Sequence, residues 1–219
     1  MPEPVTMITV GGSTAAMLMH LARRHFETAK DVLDIAMGFV CLVIFSPLLL
    51  LCAVLIKLSS RGPVFFRQVR VGKDGALFTM YKLRTMRPDA EVDSGAVWAA
   101  DNDPRVIPVC RWMRRSHVDE LPQLINVVMG DMSLVGPRPE RPEILAELER
   151  HYPNVRHRLA VRPGITGLAQ ITNGYDTSVD DFRHKLEADL RYIHRRSWRQ
   201  ELRILTLTVS RFFADGKSR

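Results

Sequence analysis

Residues 35–56 read IAMGFVCLVIFSPLLLLCAVLI, an apolar stretch from Ile35 to Ile56 without one charged side chain. About 22 residues at ~1.5 Å rise make roughly 33 Å of helix, the thickness of a bilayer's hydrocarbon core. A helix packed inside a water-soluble domain keeps a polar face, and this one has none. The stretch begins too far from the start for a signal peptide, exceeds the usual h-region and lacks a small-residue cleavage pattern behind it. It is therefore expected to stay in the mature chain as a membrane segment.

Basic residues flank both ends: Arg23, Arg24 and Lys30 before, then Lys57, Arg61, Arg67, Arg70 and Lys73 after. A simple span would gather its excess on the cytoplasmic side alone. At the centre sits Ser46-Pro47, where proline removes a backbone donor and a bend is expected. Two readings stay open on these residues: a re-entrant hairpin of two half-helices with both ends cytoplasmic, and a proline-kinked spanning helix.

The chain of 219 residues is 46% apolar and 25% charged, enough for one domain with a real core plus appendages. Lys plus Arg outnumber Asp plus Glu by 31 to 24, a formal +7, so the expected partners are anionic: phosphates, acidic lipid headgroups or nucleic acid. Nucleic acid ranks last, because no recognised binding motif accompanies the charge. Cys41 and Cys52 lie in the apolar stretch and Cys110 in a basic one, with neither a CxxC spacing nor an even framework, so all are read as reduced and free of zinc.

Residues 1–29 form a lead-in with an amphipathic stretch, Ala15 to Phe26, suited to a membrane interface. The helix-break-helix occupies 30–58, a domain bearing the polar motifs 59–176, and amphipathic helices that pack on the core or the membrane 177–219. Within the domain, Pro63–Val71 and Ala76–Leu83 flank a Gly72-Lys73-Asp74-Gly75 turn and predict a β-hairpin. Strands are expected only there, so the fold is α/β but mostly helical. Residues 86–104 are polar and predict a loop; Arg111–Met129 has helical spacing interrupted at Pro122 and closed by Gly130. A helix is expected near Pro142–His151. Ser178 with Asp181 resembles a capping box, followed by an apolar stripe of Phe182, Leu186, Leu190 and Ile193.

The chemistry concentrates at Asp119-Glu120, preceded by Arg111, Arg114 and Arg115, with Arg115 one helical turn before Asp119. Alone, an Asp-Glu pair after arginines is a solvated face with ion pairs. Paired carboxylates can also hold Mg²⁺, or one can attack phosphorus while the other assists, with arginines neutralising a diphosphate. Asp131, Arg138, Glu140 and Arg162 add groups of that chemistry on loops stiffened by proline or opened by glycine, where backbone can approach a phosphate.

Four motifs then occur in register: Tyr81-Lys82-Leu83-Arg84-Thr85-Met86, Asp119-Glu120-Leu121-Pro122-Gln123-Leu124-Ile125-Asn126-Val127, Gly130-Asp131-Met132-Ser133-Leu134-Val135-Gly136-Pro137-Arg138-Pro139-Glu140 and Arg162-Pro163-Gly164-Ile165-Thr166-Gly167-Leu168-Ala169-Gln170. Together they resemble the bacterial sugar transferases, the monotopic polyprenyl-phosphate phosphoglycosyl transferases, over about Lys30 to Arg211. The resemblance implies a small α/β catalytic domain on the cytoplasmic face of the bacterial inner membrane, anchored by a re-entrant helix with Ser46-Pro47 at its apex. It implies Asp119 as nucleophile, Glu120 as its partner and Mg²⁺ held by the two. Arg84, Arg114, Arg115, Arg138 and Arg162 become the candidate phosphate-binding set, with Pro137 and Pro139 stiffening the Arg138 loop. At Ile107-Pro108-Val109-Cys110 the chain departs from the family's pattern, and one phosphate-binding arginine is expected to be missing.

The implied reaction takes a sugar 1-phosphate from a UDP-sugar to undecaprenyl or another polyprenyl phosphate, through an aspartyl phosphosugar, releasing UMP, as the first step of a surface glycan or exopolysaccharide. The rivals are a Mg-dependent hydrolase of membrane diphosphates, with the same ionic groups but water as acceptor, and a non-catalytic adaptor on acidic lipid. A homodimer is compatible with this reading and not required by it.

Overall fold

The computed structural model describes residues 11–87, 103–172 and 182–215, and the side chains of these except 11–16, 18–20 and 212–215. The Ser178–Asp181 capping box and most of the polar loop after Met86 lie outside the described residues.

Helix α1 runs from Gly11 to Ser59 and is apolar and long enough to cross a membrane. Pro47 lies inside it. Proline has no N–H, so the carbonyl of Val43, four residues earlier, loses its usual donor. Ser46 Oγ donates to that carbonyl at 2.7 Å, and the helical backbone continues through the pair. The lead-in expected over 1–29 is, from Gly11 onward, the first part of the same helix.

One stripe of α1 packs on the rest of the chain. Lys30, Asp34 and Gly38 are buried on one flank and Cys52 and Ile56 on the other, whereas Val43 to Pro47 are exposed throughout. The opposite face exposes Val32, Leu33, Phe39, Ile44, Leu50 and Leu58. Cys52 and Ile56 join Leu83, Ile107, Cys110, Met113 and Val118 in one apolar cluster. The Ile107–Cys110 departure thus supplies core: Ile107 and Cys110 are buried, and the Ile107 amide donates to Thr85.

After α1 the chain forms the expected hairpin, β1 (Phe65–Val71) antiparallel to β2 (Leu77–Leu83), with Phe65 opposite Leu83 and Val71 opposite Leu77. The helix expected over Arg111–Met129 is instead three pieces: α2 (Arg111–Arg115), a 3₁₀ turn (Val118–Glu120) and α3 (Gln123–Met129). The break comes before Pro122, at His117, whose φ of 52° is left-handed. Gly130, with φ 83°, closes α3 as predicted.

Strands are not confined to the hairpin. Ser133–Val135 (β3) and Gly164–Thr166 (β4) pair in parallel, Ser133 with Gly164 and Val135 with Thr166. Three-residue strands show no periodicity, and their flanking Gly and Pro read as turns. The glycines expected to admit a phosphate instead admit each other's backbone. A Cβ on Gly136 would run into the Arg162 carbonyl and the Gly164 amide, and one on Gly164 into the Gly136 amide. That proximity allows Gly136 N–H to donate to Thr166 at 2.8 Å and Gly164 N–H to Pro137 at 2.9 Å.

Between the strands lies α4 (Pro142–His151), as expected; α5 (Leu168–Thr172), α6 (Phe182–His194) and α7 (Trp198–Asp215) follow. The predicted stripe of α6 is buried through Phe182, Leu186 and Ile193. Of the two placements expected for the C-terminal helices, α6 takes the core; α7 buries Glu201 and Ile204 there but leaves Trp198, Leu202 and Val209 exposed.

Gly136→Ala is expected to destabilise the folded protein by about 3 kcal/mol, since a new methyl must separate two hydrogen-bonded backbones. Thermal unfolding in detergent checks this; an unchanged midpoint would mean that the loops yield freely.

Candidate active site

Three segments that are distant in sequence meet at Glu120. The 3₁₀ turn presents Asp119 and Glu120; β2 presents Lys82; the loop after β3 presents Arg138. Arg138 grips Glu120 with both terminal nitrogens, Nη2 to Oε1 at 2.7 Å and Nη1 to Oε2 at 3.1 Å, while Lys82 Nζ donates to Oε1 at 2.9 Å. Fork-on-carboxylate bonds of this kind fix direction as well as distance.

The two neighbouring carboxyls are driven apart in acidity. For Glu120, burial favours the neutral acid, but the Arg138 and Lys82 charges and hydrogen bonds outweigh it and hold the group well below the ordinary glutamate range. For Asp119, which is 8% exposed, burial and then the Glu120 charge push the carboxyl up to about 6, against the pull of Lys82, Arg114 and His117. Paired carboxyls with separated affinities are the arrangement by which one site assigns two roles.

Other buried groups hold these segments. Asn126, fully buried on α3, donates to the Thr79 carbonyl at 2.7 Å and accepts from the Tyr81 amide at 3.1 Å, joining α3 to β2. Behind Arg138, Arg158 Nη2 donates to the Arg138 carbonyl at 3.0 Å and Arg70 Nη1 to the Pro139 carbonyl at 3.0 Å. Glu140 anchors that layer with Lys185 at 2.8 Å and Arg158 at 3.7 Å; burial opposes its charge, but Lys185 and Arg158 hold it down at about 2.

Of the expected phosphate-binding arginines, Arg138 grips Glu120, and Arg114, which donates to Thr85 Oγ1 at 3.2 Å, acts on Asp119 through its charge. Arg115 is exposed at the end of α2, and the left-handed turn at His117 removes the helical register that placed it over Asp119. Arg84 is buried and donates to the Arg61 and Ser60 carbonyls at 2.6 and 2.9 Å, beyond the end of α1. Arg162 pairs with Asp31 of α1. Pro137 and Pro139 bracket Arg138, and Asp131 lies 3.3 Å from Asn126 Nδ2. Lys82 stands in the first motif but is not among the expected site residues, since a lone lysine on a strand carries no local signal of its partner. Arg158, Arg70 and Asn126 carry no sequence signal of their own, since their partners are non-local.

Asp119 and Glu120 thus form a largely buried carboxyl pair whose glutamate is held ionised by Arg138 and Lys82. The chain belongs to the bacterial sugar transferase family, whose sequence pattern matches residues 25–215. It is 45% identical over 180 residues to the UDP-N-acetylgalactosamine-undecaprenyl-phosphate N-acetylgalactosaminephosphotransferase of Aeromonas hydrophila, covering 82% of this chain and 42% of that protein. It is 40% identical over 208 residues to the UDP-glucose:undecaprenyl-phosphate glucose-1-phosphate transferase of Caulobacter vibrioides, covering 92% and 78%. With the exopolysaccharide production protein PSS of Rhizobium leguminosarum bv. phaseoli the identity is 39% over 193 residues, covering 86% and 96%.

The raised affinity of Asp119 bears on stability. Its folded value of about 6 lies above the ordinary 3.8, so its contribution is complete below about pH 4 and lost as pH rises to about 6. Above that the buried charge costs up to about 3 kcal/mol. Asp119→Asn is therefore expected to raise the thermal midpoint at pH 7.5 and to leave it nearly unchanged near pH 4. A lowered midpoint at pH 7.5 would contradict the burial argument.

Proposed function

We propose that this chain transfers a sugar 1-phosphate from a UDP-sugar to a polyprenyl phosphate, such as undecaprenyl phosphate, at the start of a surface glycan or exopolysaccharide. The observation that carries the proposal is the Asp119-Glu120 dyad gripped by Arg138 and Lys82, in a chain whose relatives are named for this transfer.

Asp119 acts as nucleophile. Its carboxylate oxygen bonds to the sugar-linked phosphorus, the phosphoanhydride bond breaks, and UMP leaves with the bonding electrons. A polyprenyl phosphate oxygen then attacks the aspartyl phosphosugar; the new phosphoanhydride forms and Asp119 returns as carboxylate. Arg138 and Lys82 hold Glu120 charged and, with Arg114, keep positive charge where the diphosphate arrives. Asp119 and Glu120, two neighbouring carboxyls, would hold Mg²⁺, and it would neutralise phosphate charge.

We read α1 as re-entrant, its bend at Ser46-Pro47, in the bacterial inner membrane with the dyad on the cytoplasmic side. Supporting this, both flanks of α1 pack on one domain while Val43 to Pro47 stand clear of it. Labels at Thr28 and Ser59 are expected to react from the same face; opposite faces would overturn the re-entrant reading and leave the chemistry standing.

Two measurements test the reaction. With a panel of UDP-sugars, Mg²⁺ and undecaprenyl phosphate, UMP release is expected to fall as pH drops through about 6, where the nucleophile takes up a proton. Labelled sugar phosphate should stay on the protein and be lost in Asp119→Asn; turnover without trapping would mean direct transfer, and free sugar phosphate without acceptor a hydrolase.

A further inference from the structure

A ring of buried polar groups closes where α1 meets the domain. Lys30 Nζ lies 3.0 Å from Asp34 Oδ2 and 2.8 Å from Glu201 Oε2. Ser133 Oγ donates to Asp34 at 2.5 Å, and the Tyr192 hydroxyl lies 2.7 Å from Glu201 Oε1 and 2.9 Å from the Val135 carbonyl. All these side chains are buried. The ring starts and ends on β3, at Ser133 and Val135, and β3 leads directly through Gly136 and Pro137 to Arg138. At the other flank, Arg84 grips the Ser60 and Arg61 carbonyls just past α1, and its amide donates to Val64 at 2.8 Å. Arg84 stands two residues beyond Lys82.

Both cations on Glu120 are therefore carried by segments fastened to α1, one at each flank. We propose that Ser133 and Arg84 are positioning residues for the transfer: through them the two flanks of the membrane helix set Arg138 and Lys82 on Glu120. This rests on the proposed role of the dyad. It gives α1 a part in catalysis distinct from anchoring, because a displaced flank moves a cation off Glu120.

The test is a pair of double-mutant cycles on the full chain in nanodiscs, read as UMP release. Ser133→Ala is expected to lower kcat about 10-fold with KM for the UDP-sugar within roughly 2-fold, and Ser133→Thr to restore it. In an Arg138→Lys background, where the grip is already loosened, Ser133→Ala should cost less than about 2-fold further. Arg84→Gln is the second variant, with Lys82→Arg as its background and the same expectation. Unchanged activity of both single variants, or losses that multiply fully in both backgrounds, would overturn the proposal. So would a loss that follows a lowered thermal midpoint and is equal in Ser133→Ala and Ser133→Thr. An unmutated chain releasing no UMP from any UDP-sugar would instead fail the transfer reading itself.

Discussion

Glu120 is a carboxylate taken almost out of water, and its ionisation depends on Arg138 and Lys82. Burial alone favours the neutral acid; two charge-assisted contacts outweigh it. Much else in the domain follows from keeping those contacts. The charged Glu120 is the second reason, after burial, for the raised Asp119. Arg138 and Lys82 must come from separate segments to approach one carboxylate from different directions, so the hairpin and the β3 loop have to be registered against the 3₁₀ turn. Asn126 supplies the first registration, and Arg158 and Arg70 on the Arg138 and Pro139 carbonyls the second.

That second registration brings its own charge problem. Arg70, Arg158 and Lys185 gather behind Arg138, and cations this close repel unless anions lie among them. Glu140 contacts all three, and Asp189 lies 2.7 Å from Arg158. Burial lowers Arg70 to about 10, and burial raises Asp189, signs that the layer is costly to desolvate and is held by pairing. A buried network of this kind fixes position better than it adds stability, which suits a layer that aims one arginine.

The sequence was most informative where a local rule governs. The apolar run, the hairpin turn, Gly130 after α3 and the extent of α4 all follow from composition or spacing within a few residues, and the structure agrees with each. Reading failed where the deciding partner is remote. Gly136 and Gly164 look like phosphate-admitting loop glycines, and only their mutual approach shows that they are strand neighbours. Arg115 appeared to lie over Asp119 because helical spacing continues through His117, a position at which the backbone turns left-handed. Arg84 and Arg162 have the right chemistry for phosphate, yet they engage α1 or the chain just beyond it. Asp119 and Glu120 stood out in the sequence through the motif and its resemblance; the second cation on Glu120, Lys82, required the packing of β2 beside the 3₁₀ turn.

A reaction that joins a water-soluble nucleotide to a lipid phosphate needs a site reached from both phases. Under the proposed function, α1 meets the domain in a hydrophobic cluster beside the dyad. Cys52 and Ile56 of α1 pack with Met113 and Val118, and Val118 is the residue immediately before Asp119. The proposed nucleophile is thus one residue from the membrane helix's own core contact, while Arg114 and Lys82 face it with charge. For the proposed acceptor, the re-entrant bend would bring the hydrocarbon phase up to the dyad without carrying the domain across the membrane.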